Sequence, residues 1–183
     1  RLSAYLDLLA RWNPRINLVA APTLRDPWRR HVLDSAQLLP DVSQRQGALA
    51  DLGTGAGFPG LVLAILGRAD VILIESDQRK CAFLREVARL AGVAVDIRNG
   101  RMEAIPPAGA AIVTARACAP LATLLGYAER HLAPGGVAIF LKGRNMASEL
   151  ADAGESWRFA EMRRPSLADA EGWVIRLEDI RRA

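Results

Sequence analysis

Residues 51–60 read Asp-Leu-Gly-Thr-Gly-Ala-Gly-Phe-Pro-Gly. The run before them, Gly47-Ala-Leu-Ala50, is apolar and strand-like, and Leu61-Val-Leu-Ala-Ile-Leu66 continues as a helix pressed against a sheet. Glycine is needed where the backbone takes positive φ or meets a ligand with no Cβ in between. Pro59 suits a first helical turn, where its missing N–H costs nothing. A strand with an acidic end, a glycine-rich turn and a helix, in that order, make a loop for a nucleoside-bearing cofactor.

Gly55, Gly57 and Gly60 spell G-x-G-x-x-G, the spacing of a dinucleotide-binding turn. Asp51 argues for a different ligand. A pyrophosphate at a helix N-terminus wants amides and positive potential, which a carboxylate at the strand end opposes. S-adenosyl-L-methionine (SAM) has no phosphate and carries an ammonium and a sulfonium, both favoured by a nearby carboxylate. A second acid lies about 20 residues on, where Asp70-Val-Ile-Leu-Ile-Glu-Ser76 ends in Glu75. There a second parallel strand delivers a carboxylate to both ribose hydroxyls; the alternative is that Glu75 or Asp77 caps the helix 78–91, with Asp77 the better cap.

The 183 residues, half of them hydrophobic, suit one domain with a continuous core. We expect residues 1–45 to form a helical cap and 46–183 the α/β core. No apolar run is long enough to cross a bilayer, and the chain opens on an amphipathic helix, so a cytoplasmic protein is expected. Cys81 and Cys118 have neither metal-ligand nor redox spacing, and no metal is expected. The net charge of +4 admits a polyanionic partner. Its cations are nearly all arginine, which binds phosphate and stacks on bases. Arg29-Arg30-His31, Arg163-Arg164 and Arg181-Arg182 are candidate contacts.

Helices are expected over 2–12 and about 24–39, then strands near 48–52, 70–75, 93–98, 110–115 and 135–142 alternating with helices near 58–66, 78–91, 119–132 and 144–154. Two further strands, 156–163 and 172–180, break the alternation as an antiparallel hairpin at the sheet edge. The fold class is α/β, a Rossmann-like class I SAM methyltransferase. Its central sheet is mainly parallel with helices on both faces, followed by the C-terminal hairpin and preceded by the helical cap. Ligands bind beyond the carboxyl ends of such strands. After the third strand stand Met102, suited to an adenine face, and Glu103, which with the local backbone suits the exocyclic amine; the alternative is an ordinary helix start. After the fourth stands Arg116, for a methionine carboxylate, an RNA phosphate or an ion pair with Asp51. After the fifth stands Lys142, for RNA or simply as an exposed strand-end lysine.

Trp12-Asn13 with Ile16-Asn17-Leu18, then Arg30-His31-Val-Leu-Asp34-Ser35, the glycine loop with Phe58-Pro59-Gly60, Arg101-Met-Glu103, Ala115-Arg116-Ala117 and Lys142-Gly143 resemble the glucose-inhibited division protein B family. These are bacterial methyltransferases acting on a guanine N7 in small-subunit ribosomal RNA. The resemblance implies cofactor contacts at Gly53, Phe58, Met102, Glu103 and Arg116, beside Asp51, Gly55, Gly57 and Glu75 from the residue pattern. It implies ribosomal RNA or a pre-ribosomal particle as partner, with Arg30, His31, Arg116 and Lys142 as RNA candidates. Glu75-Ser76 departs from the family's Asp-Ser, and at Phe58 the transferable property is an apolar contact. His31 invites a role as general base but suits a structural histidine better; His131 suits a helix C-terminus, complementing its dipole. Guanine N7 already carries a lone pair, so no catalytic base is assigned. The competing readings are a SAM-sensing or RNA-binding module without turnover, and a nicotinamide-dependent reductase.

Overall fold

The predicted strands form as β1 (Leu49–Leu52), β2 (Val71–Glu75), β3 (Asp96–Asn99), β4 (Ala110–Arg116) and β5 (Leu132–Lys142); β1 and β2 are buried throughout, β4 and the second half of β5 nearly so, and β3 is partly exposed. The computed structural model describes residues 1–116 and 118–183, so Ala117 of the Ala-Arg-Ala motif lies outside the described residues. With β6 (Trp157–Pro165) and β7 (Trp173–Arg182), the strands form one seven-stranded sheet in the order β3-β2-β1-β4-β5-β7-β6. β1 to β5 pair in parallel, and β7 enters antiparallel between β5 and β6, the expected edge hairpin.

Alternation along the strands divides the core in two. Leu49, Leu73, Ile112 and Ile139 face α1 (Leu2–Ile16), α4 (Gly60–Ile65) and α5 (Gln78–Ala91), with Leu9, Leu61 and Phe83 in the same cluster. Ala50, Leu52, Ile74, Val113 and Phe140 face α6 (Leu121–His131) and α7 (Met146–Ser156), with Leu124, Leu125 and Ala153. Covering both faces explains why the central strands read as apolar runs. Asp77 caps α5 as expected, its side chain accepting from the amides of Arg79 at 2.7 Å and Lys80 at 3.3 Å. Gly92, left-handed at φ 62°, ends the helix, so β3 begins at Asp96 and not at 93.

The expected helix over 24–39 is broken up. A 3-10 turn spans Ala21–Arg25, a π-helix Trp28–Leu33, and short α-helices α2 (Asp34–Ala36) and α3 (Leu39–Ser43) follow. Pro27 and Pro40 each lack the amide a continuous helix requires. Among the described residues no helix is long and apolar enough to cross a membrane.

The arrangement decides where a ligand can sit. From β1 the chain proceeds outward through β2 to β3, and from β4 the opposite way to β5, so a crevice opens at the carboxyl ends of β1 and β4.

Candidate active site

A cavity of about 580 Å³ occupies that crevice, within the 300–1,000 Å³ range of small-molecule sites. Gly53 and Gly55 line it from the end of β1, Glu75 from β2, Arg116 from β4 and Lys142 from β5, while Arg30, His31 and Asp34 close it from the N-terminal segment.

The glycine loop is held from beneath and from the side. Gly53 and Gly55 both take φ 59°, a left-handed conformation that side chains resist. Asp51 is fully buried under the loop: its Oδ2 accepts from the Thr54 hydroxyl at 2.5 Å and the Gly60 amide at 2.9 Å, and its Oδ1 from the Thr114 hydroxyl at 2.8 Å. Burial pushes its carboxyl up to about 6, against the downward pull of Thr54, Gly60, Thr114 and Arg116. Glu75 reaches from β2 to the cavity wall, accepting from the Gly55 amide at 2.9 Å and the Asp77 amide at 2.8 Å. Each of its oxygens keeps a lone pair for a hydroxyl donor.

Beside the loop three rings stack. Phe58 lies between Tyr5, at 5.2 Å and 14°, and His31, at 4.7 Å and 16°. The Arg116 guanidinium sits 4.9 Å from the Phe58 centroid, a cation–π contact. Tyr5 donates its hydroxyl to the carbonyl of Ala56, tying α1 to the glycine loop. Tyr5→Phe keeps the stack and orphans that carbonyl, so it is expected to cost about 1 kcal/mol in urea unfolding and to weaken ligand binding at the loop.

Arg116 is the most connected cation of the cavity. It donates to the Arg30 carbonyl at 3.0 Å, the Asp34 carboxylate at 3.2 Å and Nδ1 of His31 at 3.2 Å. Since Nδ1 accepts, the hydrogen-bond pattern assigns the proton to Nε2, which donates to Thr23 Oγ1 at 2.9 Å; that hydroxyl in turn donates to the Ala20 carbonyl at 2.6 Å. Burial first, then Arg116 and Arg30, lower His31 to about 4. It is neutral at pH 7, with both nitrogens engaged. Burial raises the Asp34 carboxyl while Arg116 pulls it back down.

A family model described as rRNA small subunit methyltransferase G, GidB, matches residues 1–172. The chain belongs to the GidB family. A relative from Paramagnetospirillum magneticum named ribosomal RNA small subunit methyltransferase G is 53% identical over 182 residues, covering 100% of this chain and 89% of its own. One of the same name from Rhodospirillum rubrum is 49% identical, covering 100% and 91%. The fold is also that of a tRNA (m1A58) methyltransferase from Aquifex aeolicus, at TM-score 0.67 and 16% identity over 80% of this chain and 68% of that one. A SAM-dependent methyltransferase from the same organism gives TM-score 0.65 at 16% identity, over 86% and 95%.

In this GidB-family chain several residues take positions other than those expected. Asp51 makes no wall of the cavity: the alternation of β1 sends it to the face covered by α4, where it accepts from that helix's first amide. Gly57 also points away, since a Cβ there would meet Leu61 Cδ1 at 2.6 Å and the Tyr5 hydroxyl at 2.7 Å. Met102 reaches only the rim, its Cε lying 3.3 Å from where a Gly53 Cβ would be. Glu103 faces solvent, 3.7 Å from Arg101. Arg116 pairs with Asp34 and not Asp51. Lys142 lines the cavity, but its ammonium is turned toward α7, 2.5 Å from Glu149, and donates to the Ala119 carbonyl at 3.1 Å. β5 sends Lys142 to the same face as Phe140, so its ammonium ties the strand to the helix. His131 is no cationic helix end: it is buried, accepts from the Ala108 amide at 3.2 Å and donates to the Met102 carbonyl at 2.7 Å. Its pKa is lowered, by burial first.

The β6–β7 turn is the part of the wall that sequence reading missed. Ser166, Asp169 and Trp173 line the cavity. Arg30 pairs with Asp169 at 3.0 Å, Arg29 donates to the Ala168 carbonyl at 3.0 Å, and Gln37 accepts from the Leu167 amide at 2.9 Å. Partners 130 or more residues apart leave no local signal.

Proposed function

We propose that this chain is one methyltransferase domain that transfers a methyl group from SAM to N7 of a guanine in small-subunit (16S) ribosomal RNA. The observation that carries the choice of cofactor is the occupied start of α4. The amide of Gly60, which a dinucleotide pyrophosphate would need, already donates to the buried carboxylate of Asp51. A phosphate-free ligand is left, and the cavity fits SAM. Gly53 opens a slot that a Cβ would fill, 3.1 Å from Cys118 Cβ and 3.3 Å from Met102 Cε, an apolar rim suited to adenine. Glu75 offers its spare lone pairs to ribose hydroxyls, and Arg116 offers a cation to the methionine carboxylate or to RNA. Phe58 supplies apolar surface, and Arg30 and His31 stand on the RNA side.

When bound, SAM supplies a methyl group carried on a sulfonium. The chain's own residues orient and enclose. Guanine N7 presents an in-plane lone pair, so no proton has to leave before transfer. The structure agrees with that economy, because His31 is neutral with both nitrogens engaged. Holding the reacting atoms in line can supply several kcal/mol of the barrier. A guanine reached this way must be unstacked or already unpaired. The substrate, ribosomal RNA or a pre-ribosomal particle, places the reaction in the cytoplasm.

The test has two parts. Calorimetry is expected to give micromolar binding of SAM and of its demethylated product, with none of NAD(H). Methyl transfer to small subunits from a strain lacking the enzyme should then appear as N7-methylguanosine by mass mapping. Nicotinamide binding without SAM binding would overturn the cofactor, and SAM binding without transfer would leave a non-catalytic module.

A further inference from the structure

We infer that Trp28, with Arg29 and Arg30, is the stacking platform for the unpaired nucleotide next to the guanine that enters the cavity. The inference rests on the RNA-methyltransferase reading above and names the part of the surface that holds the flanking strand.

Four observations converge on Trp28. The first is exposure: the indole is 49% exposed, a large aromatic surface left in water. The second is position. Trp28 opens the π-helix that also carries Arg30 and His31 of the cavity wall. A π turn is rare and recurs at functional sites. The third is rigidity. Asp26 accepts from the Arg29 amide at 3.1 Å, fixing the start of the turn, and Arg29 and Arg30 are tied to Ala168 and Asp169 across the mouth. The fourth is charge. Arg29 has no carboxylate within 4.0 Å among the described residues, and Arg30 shares Asp169 at a half-exposed pair, so the platform is flanked by cations.

The chemistry of the occupant follows. When one base leaves its stack, the neighbouring base loses a stacking face, and its phosphate remains charged. An exposed indole replaces the lost face, and adjacent guanidiniums neutralise the phosphate. Stacking of this kind tolerates any base, because each has a π-face. Leu167, 63% exposed, adds apolar surface in the β6–β7 turn beside Ala168, whose carbonyl holds Arg29.

The experiment compares Trp28→Ala and Trp28→Phe with the unmodified protein. Three quantities are read: steady-state transfer to small subunits lacking the modification, binding of a short unpaired RNA by fluorescence anisotropy, and SAM affinity by calorimetry. The expected result is a rise of about ten-fold or more in KM for subunits with Trp28→Ala. The loss of RNA affinity should match it, SAM affinity and melting temperature should not move, and Trp28→Phe should recover most of the binding. Unchanged KM and RNA affinity would overturn the platform. So would a loss on subunits with RNA affinity intact, which points to a ribosomal protein as the partner. A shift in SAM affinity would overturn it too, as the mark of a structural role. An unmodified protein that binds SAM but methylates no subunit would instead remove the proposed function, and the platform with it.

Discussion

Replacing Asp51 by Ala is expected to lower stability by about 3 kcal/mol and to abolish methyl transfer, whereas Asp51→Asn keeps the fold and most of the SAM affinity. The buried carboxylate collects three donors, from Thr54, Gly60 and Thr114. Alanine leaves all three without a partner, in a place that water does not reach. Asparagine still accepts from Thr54 and Gly60 through its oxygen, and its amide can donate to the Thr114 hydroxyl. The contrast separates two roles for Asp51. If its charge met the sulfonium directly, asparagine would fail nearly as badly as alanine; because it acts by shaping the loop, removing charge alone is mild. Urea unfolding and calorimetry on the two variants read the difference.

The same carboxyl has a pH signature. Its folded pKa, about 6, lies above the ordinary 3.8. The folded state therefore holds this proton more tightly than the unfolded state. Stability from this group is greatest below pH 3.8 and falls as pH rises to 6. His31 works in the opposite sense: with its pKa lowered from 6.5 to about 4, stability is lost as pH falls through that window. Subtracting the Asp51→Asn profile from that of the unmodified protein cancels His31. The difference should show stability declining between pH 4 and pH 6; a flat difference would mean that Asp51 is not buried as a carboxylate.

What could be read from the sequence was whatever depends on near neighbours. The glycine turn, the apolar strands, the Asp77 cap and the Gly92 stop all arise within a few residues, and each appears where its local chemistry requires. Glu75 was legible because a second strand beside the first brings its end to the same crevice. Asp51 was not, since its direction depends on which face α4 covers, and both faces of β1 are buried. Lys142 was not fully legible for a related reason: whether a strand-end lysine is tied to Glu149 depends on the docking of α7. The partners of Arg116 lie 82 to 86 residues away, and the Asp169 side of the cavity is farther still. Motif spacing could mark Arg116, His31 and Asp34 as separate points, but only packing shows them to be one cluster.

Arg116→Ala tests that cluster and should give the largest loss of activity, about 100- to 1,000-fold in transfer, the scale of removing a preorganised donor from an active site. The fold should survive, at a cost set mostly by Asp34, whose half-buried carboxylate loses its cation. Two titrations report the change independently of activity. Arg116 is the foremost charge lowering His31, so the His31 pKa should rise from about 4 toward its ordinary value, though burial holds it below. The Asp34 pKa, already raised by burial, should rise further without Arg116 to oppose it. NMR can follow His31 because the only other histidine, His131, is bonded to Ala108 and Met102 away from the change. Arg116→Lys should recover little. A lysine brings the charge but not the planar fork that meets Arg30, His31 and Asp34 at once while lying over Phe58. Transfer at the unmodified rate with a shifted His31 would show that Arg116 only organises the wall. Loss of transfer with SAM affinity intact would place its contribution on the RNA side of the cavity, and loss of both would place it on the cofactor.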